Sequence, residues 1–525
     1  MSDLASFLSQ TKTAQAWKKI GLGPHHGICV PLWALRTEQS SGIGNFGDLP
    51  RLIDWCKSVG FDCLQLLPIT DSGEDPSPYN ALSSCALNPI YLDLAALPDA
   101  QFDIAAFQPF ASSDRLSYSQ VRREKMRWLF KYFELTFSSL QNQPDYLFFL
   151  DQNRSWLDSY SLFMAVKDEF GGKAWKEWPE EKQSRESCTA DPRAIDFHCF
   201  TQYHAALQMR KAKNHADQAG VFLIGDFPLL MSPDSSDVWA APHLFDLSRS
   251  AGAPPDYYNP DGQRWGFPLL NRVEMRKEDF AWWKDRVRHT ARFFHLFRLD
   301  HFAGLFRVWS YQPDSPSEGD FFPPDESLWE GRGKEILDAI LPVSDLLPLA
   351  ENLGTIPPIV DETMRSYGIC GLAVIRWQRY EDEKRNYIPY EKYDPLNITS
   401  VSTHDAEPLQ LWWKELPVEA ALFAAFKNWT YDPDLASWQR KEILRDSHHT
   451  PTIFHINLLQ EYLALFPELV AANPEDERIN VPGIVSPKNW TYRFKPTLEE
   501  LVSNQKLAAA IRDILQSSGS LPKSE

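Results

Sequence analysis

An arginine and an aspartate stand two positions apart in the otherwise apolar run FRLDHFAGL, residues 297–305. Side chains at positions i and i+2 of a strand point to the same face, so Arg298 and Asp300 share one face if this run is a strand. Burying two charges on one face is costly unless they pair or perform a function. A cation beside Asp300 lowers the pKa of that carboxyl and keeps it ionised, as a nucleophile requires.

Two more carboxylates stand near the ends of apolar runs. Glu351 lies in the apolar frame LAENLG, where desolvation raises the pKa of a carboxyl, as suits a general acid, and Asp405 ends the run ITSVSTHD. Three acids around one pocket suit either a metal site or acid–base and nucleophilic chemistry. We expect no metal and no cofactor, because Arg298 beside Asp300 would repel a cation. One ionised and one protonated carboxyl facing each other is the arrangement of retaining glycoside chemistry.

These side chains need strands to position them. Short apolar runs recur along the chain with amphipathic stretches between them, which is typical of parallel α/β structure. Eight runs are candidate strands: residues 27–35, 61–68, 221–228, 297–301, 346–354, 371–377, 398–405 and, less clearly because of Pro482, 478–483. Eight strands favour a (β/α)8 TIM barrel. A doubly wound sheet is the alternative, but no Gly-rich phosphate turn follows the first run.

The stretches between these runs carry their own signals. We expect a helix to begin after Asp48 and to end at Gly60. Further helix-like stretches cover residues 282–295 and 453–470, and the pair His25–His26 is assigned to a loop.

The chain is longer than a bare barrel. A minimal barrel needs about 250 residues, so much of this 525-residue chain lies in insertions. We expect residues 1–525 to form a single decorated catalytic barrel with large, mainly helical inserted subdomains. The largest insertion spans residues 81–198, rich in Trp, Tyr and Glu, and a smaller one spans residues 311–333. The acidic loop around Asp71 fails the calcium-loop spacing and is expected to be solvated.

Most of the predicted strands also end in a polar residue. These residues are Gln65, Asp226, Asp300, Glu351 and Asp405. Any one of them could simply cap the following helix, as Asp commonly does. Barrel enzymes place their catalytic groups at the C-terminal ends of the strands, so the five together indicate a carboxylate-lined pocket at one mouth.

The composition narrows the class of protein. Lys and Arg number 53 and Asp and Glu 71, a net charge of −18, and an acidic surface disfavours nucleic acid as a partner. The N-terminal residues lack the apolar region of a signal peptide, and no later stretch reaches membrane-spanning length, so we expect no membrane and a cytoplasmic location. The seven cysteines show no metal-ligand spacing and are expected to be reduced core thiols.

Many stretches, in their order and spacing, resemble one family. They are PLWALRTEQSSGIGNFGDL, GFDCLQLLPI, SPYNALSSCALNP, IGDFPLLMSPDSSDVW, AGAPPDYYNPDGQRWGFPL, FRLDHFAG, LAENLG, STHD, and RINVPG followed by NWTYRF. The chain is similar to the 4-alpha-glucanotransferases, the amylomaltases or disproportionating enzymes of glycoside hydrolase family 77, from about Gly27 to Phe494. The resemblance implies a barrel with inserted subdomains, no metal, and maltooligosaccharides and alpha-1,4-glucans as substrates.

The resemblance also implies roles for particular residues. Asp300 is implied as the nucleophile, Glu351 as the acid/base, and Asp405 as the carboxylate that grips the sugar hydroxyls in the transition state. The residues implied around the reacting glucose are Arg298, His301 and His404, with Asp226 nearby, Tyr79 stacking on the sugar, and Trp265 on a loop over the acceptor side.

The expected activity is that of a retaining 4-alpha-glucanotransferase, which moves alpha-1,4-glucan segments from a maltodextrin donor to glucose or another maltodextrin through a covalent glycosyl-enzyme. The loop at residues 251–260, with Tyr257 and Tyr258, is expected to help exclude water. The chain departs from the family's usual pattern at Ala303 and at residues 406–408. An alpha-1,4-glucan hydrolase of the alpha-amylase type and a non-catalytic glucan-binding protein are the alternatives, and the oligomeric state is not predicted.

Overall fold

The computed structural model describes residues 2–101, 103–255, 260–380 and 385–516. Its strands, in chain order, are β1 His25–Val30, β2 Cys63–Leu66, β3 Phe222–Phe227, β4 Phe245–Ala253, β5 Gln263–Leu270, β6 Leu296–Leu299, β7 Val308–Gln312, β8 Ser315–Phe322, β9 Leu347–Ala350, β10 Gly371–Val374, β11 Asn397–Ser400 and β12 Phe454–Leu458. Its α-helices are α1 Ser2–Leu8, α2 Ala14–Ile20, α3 Leu49–Val59, α4 Gln108–Ala111, α5 Tyr118–Leu140, α6 Pro144–Glu169, α7 Pro192–Ala219, α8 Ser236–Ala240, α9 Arg272–Lys277, α10 Ala281–Thr290, α11 Trp329–Ile340, α12 Pro358–Tyr367, α13 Leu409–Glu415, α14 Pro417–Phe426, α15 Ser437–His449, α16 Leu459–Leu463, α17 Leu498–Ser503 and α18 Gln505–Gln516.

Eight of these strands form one parallel sheet in the order β10-β11-β12-β1-β2-β3-β6-β9. The two end strands approach each other, so the sheet curls into the predicted (β/α)8 barrel, which is confirmed. At this seam the N–H of Ala350 donates to the carbonyl of Cys370 at 2.8 Å. The N–H of Leu372 donates to the side-chain oxygen of Asn352 at 2.7 Å. The seam thus relies partly on a side chain.

Seven of the eight predicted barrel strands are confirmed, and the eighth is wrong. Residues 478–483 form no strand, and the eighth strand is β12, inside the stretch at residues 453–470 that was predicted to be helical. The sequence of β12, FHINL, alternates apolar and polar residues as a half-buried strand does, although every one of these residues is buried. The pair His25–His26 likewise begins β1 and is not a loop.

The helix after the first strand follows its sequence signals closely. It is α3, whose residues Leu52, Cys56 and Val59 are fully buried. Gly60 ends it with φ of 101°, a left-handed conformation that glycine adopts without strain. Asp48 precedes the helix as predicted, but its carboxylate accepts from the N–H of Asn45 at 2.8 Å and does not cap α3.

Residues 81–198 contain α5, α6 and the start of α7, which pack on one another through aromatic side chains such as Phe133, Phe137 and Phe200. A buried ion pair ties these helices to the barrel loop before them. Asp71 is fully buried and accepts from Arg122 Nη1 on α5 at 3.2 Å and from the Tyr160 hydroxyl on α6 at 2.6 Å. The expectation of a solvated Asp71 is therefore wrong.

A second sheet lies beside the barrel. It is antiparallel, in the order β5-β4-β7-β8. Residues 311–333 include β8 and the start of α11, and residues 251–253 of the predicted 251–260 loop belong to β4. No helix among the described residues is long and apolar enough to cross a membrane.

Candidate active site

Strand register brings the first charged pair together. Asp226 on β3 is the direct partner of Arg298 on β6, so their side chains point to the same side of the sheet. Arg298 Nη1 donates to both carboxylate oxygens of Asp226 at 2.8 Å. The Asp226 side chain is fully buried and that of Arg298 is 9% exposed, so this is an interior ion pair.

The same guanidinium contacts two further carboxylates. Nη1 lies 3.2 Å from Asp300 Oδ1, and Nη2 lies 2.7 Å from Glu351 Oε1. Asp300 follows β6 directly and Glu351 follows β9, so adjacent strands deliver both acids to one point. Burial alone would lower the pKa of Arg298, but Asp226 and Glu351 raise it well above its usual value, so the guanidinium stays charged.

One cation facing three carboxylates leaves excess negative charge, which favours keeping a proton. Burial and the charge of Glu351 raise the pKa of Asp300 well above its usual value. Burial also acts to raise the pKa of Glu351, but Arg298 and the N–H of His301 outweigh it and lower the pKa. The sequence predicted a lowered pKa for Asp300 and a raised pKa for Glu351, and both directions are wrong. Arg298 is shared by the two carboxylates, and its contact with Glu351, at 2.7 Å, is shorter than its contact with Asp300, at 3.2 Å.

His301 adopts an unusual backbone conformation beside these acids. Its φ is 46°, in the left-handed region that a non-glycine residue rarely adopts. This conformation lets its N–H donate to Glu351 Oε2 at 2.7 Å. Backbone strain of this kind clusters at functional sites. The ring of Trp265 packs edge-on against the His301 ring, with centroids 4.9 Å apart. Trp265 therefore does lie at the site, but on β5 and not on a loop.

A second group of side chains surrounds Asp405. His404 Nε2 lies 3.1 Å from Asp405 Oδ2, and the Asn480 side-chain amide donates to Oδ1 at 2.7 Å. Burial acts to raise the pKa of Asp405, but these two contacts lower it to about 2. Asp405 is thus held as a carboxylate at neutral pH.

Tyr79 joins this group to the arginine cluster. Its hydroxyl donates to Asp226 Oδ2 at 2.7 Å and lies 3.0 Å from His404 Nε2. Its ring stacks on His404 with centroids 5.4 Å apart and an interplanar angle of 11°. One face of Tyr79 is therefore occupied by a protein ring, and stacking of its other face on a sugar stays a prediction.

All nine sequence-predicted site residues lie in this one network. Gln65, the fifth polar strand end, lines a small cavity inside the barrel together with Arg298. Tyr257 and Tyr258 lie outside the described residues.

Sequence reasoning assigned no role to Asn480 or Trp490. Trp490 packs beside both Tyr79 and His404, with centroids 5.5 and 5.9 Å away. Asn480 belongs to the motif RINVPG and Trp490 to the motif NWTYRF, so both lie in stretches that resemble the family. The first motif was interpreted only as a strand, and no side chain in it was given a role.

A (β/α)8 barrel with buried carboxylates grouped around one arginine at its strand ends defines the class of barrel enzymes that act on glycosidic bonds by acid–base chemistry. The comparisons with known proteins agree. The model of the family described as 4-alpha-glucanotransferase, Glyco_hydro_77, matches residues 30–499. The 4-alpha-glucanotransferase of Chlamydia caviae is 42% identical over 97% of both chains. That of Thermus thermophilus is 30% identical over 87% of this chain and 92% of its own. The chain therefore belongs to the 4-alpha-glucanotransferases, glycoside hydrolase family 77, and is a hexosyltransferase.

Solved structures agree on the fold. The amylomaltase from Streptococcus agalactiae, determined in complex with acarbose, has a TM-score of 0.81 at 24% identity, over 94% of this chain and 99% of that one. The amylomaltase from Corynebacterium glutamicum has a TM-score of 0.76 at 21% identity, over 96% of this chain and 76% of that one. The family resemblance and the fold class predicted from the sequence are both confirmed.

Proposed function

We propose that this enzyme transfers alpha-1,4-glucan segments with retention of configuration, through a covalent glycosyl-enzyme on Asp300. The observation that carries the proposal is that Asp300 and Glu351 contact one guanidinium, at 3.2 and 2.7 Å, and so face the same point of the site. Retaining enzymes need one carboxylate to attack the anomeric carbon and a second, nearby carboxyl to protonate the leaving oxygen.

Donor binding sets the protonation states that the reaction needs. Burial and the charge of Glu351 favour a proton on Asp300, whereas Arg298 and the His301 N–H favour an ionised Glu351. A glycosidic oxygen placed next to Glu351 gives a proton on Glu351 a hydrogen-bond acceptor, and positive charge developing at the anomeric carbon stabilises an ionised Asp300. The donor sugar therefore draws the proton from Asp300 to Glu351, and Arg298 stays charged beside both.

The first chemical step then follows from these states. An Asp300 oxygen forms a bond to the anomeric carbon as the glycosidic bond breaks, and Glu351 gives its proton to the leaving oxygen. Asp405, already ionised, accepts hydrogen bonds from the sugar hydroxyls, which strengthen in the transition state.

In the second step Glu351, now a carboxylate, removes the proton from the 4-hydroxyl of an incoming glucose or maltodextrin. That oxygen attacks the anomeric carbon and releases Asp300. Water competes for the same intermediate, so transfer requires an acceptor that is held in attack geometry. Trp265, next to His301 and Glu351, is the proposed acceptor platform.

Incubation of the purified protein with maltotriose tests the proposal. A transferase yields glucose together with a ladder of longer maltodextrins, a hydrolase yields only shorter products, and a non-catalytic protein yields neither. We expect the ladder, with the anomeric configuration retained by NMR, and equal rates with and without a chelator because no step uses a metal ion. Short products alone would overturn transfer, and inversion would overturn the covalent intermediate.

A further inference from the structure

Histidines gather at the opposite end of the barrel from the active site. Five of the chain's 13 histidines cluster around the first residues of β1 and β12 and the last turn of α15: His25, His26, His448, His449 and His455. His26 and His455 are direct partners at the N-terminal ends of adjacent strands β1 and β12, and their rings stack with centroids 4.9 Å apart. His448 in the last turn of α15 packs against both rings, so the cluster lies between the barrel wall and this helix.

Three of these histidines point ring nitrogens at one another. His26 Nδ1 lies 2.9 Å from His448 Nδ1, and the ligand atoms of His26, His448 and His455 all lie within 4.8 Å of one another. Zinc binds imidazole nitrogens at about 2.0–2.1 Å in tetrahedral geometry, which separates neighbouring ligand nitrogens by about 3.3 Å. Small movements of the three rings therefore suffice to place their nitrogens at the corners of a zinc tetrahedron.

The outer nitrogens are already held as metal-bound histidines usually are. His455 Nδ1–H donates to the carbonyl of Ser447 at 2.8 Å, which leaves the lone pair of this ring on Nε2. His448 Nε2 lies 2.6 Å from the Tyr462 hydroxyl and 3.4 Å from the Asn457 side-chain amide. Contacts of this kind to the non-ligating nitrogen orient the ring of a metal ligand. His448 and His455 are almost fully buried, at 2% and 1% exposure.

Charge and access also suit a cation. A zinc ion would replace the proton that lies between Nδ1 of His26 and Nδ1 of His448, which are 2.9 Å apart. The Asp62 carboxylate accepts from the backbone N–H of His26 at 2.8 Å and adds negative charge nearby. His26 is only half-buried, which leaves a path for an ion and for a water ligand.

We propose that His26, His448 and His455 form a binding site for one zinc ion, with water as the fourth ligand. The ion would link β1, the first barrel strand in the chain, to β12, the last, and to α15, the helix before β12. Its place at the N-terminal ends of the strands, at the opposite end of the barrel from Asp300, keeps it apart from the proposed transfer chemistry.

Metal titration of chelator-stripped protein tests this site. Zinc is titrated against a chromophoric chelator, cobalt is titrated in parallel, and melting temperatures are recorded with and without zinc. We expect one zinc per chain at submicromolar Kd, the visible spectrum of four-coordinate cobalt, and a higher melting temperature with zinc. His26→Gln should weaken zinc binding at least about 100-fold and remove the shift, whereas His449→Gln, on the exposed neighbouring residue, should keep both.

Two outcomes would overturn the site. The first is wild-type protein that binds no stoichiometric zinc and gives only a six-coordinate cobalt spectrum. This measurement uses only the wild-type protein, so it does not depend on the folding of a variant. The second is zinc binding that survives His26→Gln, because the ion would then lie elsewhere. The melting temperature of His26→Gln in chelator, compared with that of the stripped parent, separates lost ligation from lost folding.

Discussion

Replacing Trp265 by alanine should shift the enzyme from transfer towards hydrolysis. The proposed covalent intermediate forms through Asp300 and Glu351, and its fate is a competition between a sugar hydroxyl and water. Trp265 packs edge-on against His301 and is only partly buried, so a face of its indole remains for an acceptor sugar. Aromatic stacking contributes about 1 kcal/mol or more, and about 1.4 kcal/mol is a factor of ten in rate. The transfer step should therefore slow by about tenfold.

Trp265 also supports His301, whose N–H binds Glu351. Loss of that support slows any step that uses Glu351, whether the acceptor is sugar or water. The ratio of hydrolysis to transfer cancels this shared effect and isolates the contribution of Trp265 to acceptor binding. It should rise by about tenfold in favour of hydrolysis.

The assay follows maltotriose and measures new reducing ends against elongated products. Trp265→Phe keeps an aromatic face but loses the indole N–H bond to Gln263 at 3.0 Å, so its ratio should stay near that of the parent. Trp438→Ala, on the 58%-exposed tryptophan of α15, is the matched control for loss of an indole elsewhere. A Trp265→Ala enzyme whose rate falls while its ratio stays at the parent value would refute the reasoning and assign Trp265 to packing or donor binding.

Three further substitutions test other parts of the structure. Asp300→Asn is nearly isosteric but cannot form the glycosyl ester, so turnover should vanish while the melting temperature is kept; more than a few per cent of residual activity would reject Asp300 as the nucleophile. Asn480→Leu removes a hydrogen bond of 2.7 Å to the charged Asp405, a contact of about 1.5–3 kcal/mol, so kcat/KM should fall about tenfold or more; an unchanged value would mean that Asp405 needs no such support. Asp71→Asn leaves the buried Arg122 charge with only the exposed Glu74 as an anionic partner and should lower the free energy of unfolding in urea by about 3 kcal/mol, and a loss below about 1 kcal/mol would contradict the buried pair.

The barrel was predictable from the sequence because most of its strands are short apolar runs with a polar residue at the C-terminal end. The exception is β12, whose polar residues His455 and Asn457 lie inside the strand and which continues directly into the short helix α16. The alternation in FHINL is typical of a strand. The following residues LLQEYL place apolar side chains at helical spacing, and that longer pattern led to the helix prediction.

The composition of the site was predictable in the same way, but its electrostatics was not. The two-residue spacing of Arg298 and Asp300 correctly placed both at one point. It could not show that Asp226 and Glu351, which arrive on the flanking strands β3 and β9, bind the same guanidinium. Which carboxyl holds a proton depends on the charges of Asp226, Arg298 and Glu351 together. Of these, only Arg298 is close to Asp300 in the sequence. The histidine cluster was missed for the same reason, since its members come from β1, α15 and β12.

The seam of the barrel has a consequence for motion. Neighbouring barrel strands such as β10 and β11 are paired over four residues, whereas β9 and β10 meet through the Ala350 N–H and the side chain of Asn352. Regions with fewer backbone hydrogen bonds open locally at lower free energy than continuous ladders. Glu351 stands between those two residues, so the proposed acid/base lies at the seam, where local opening costs less free energy than in a continuous ladder. Amide hydrogen exchange should therefore begin at Ala350 and Leu372, and a bound glucan that spans the seam should slow it.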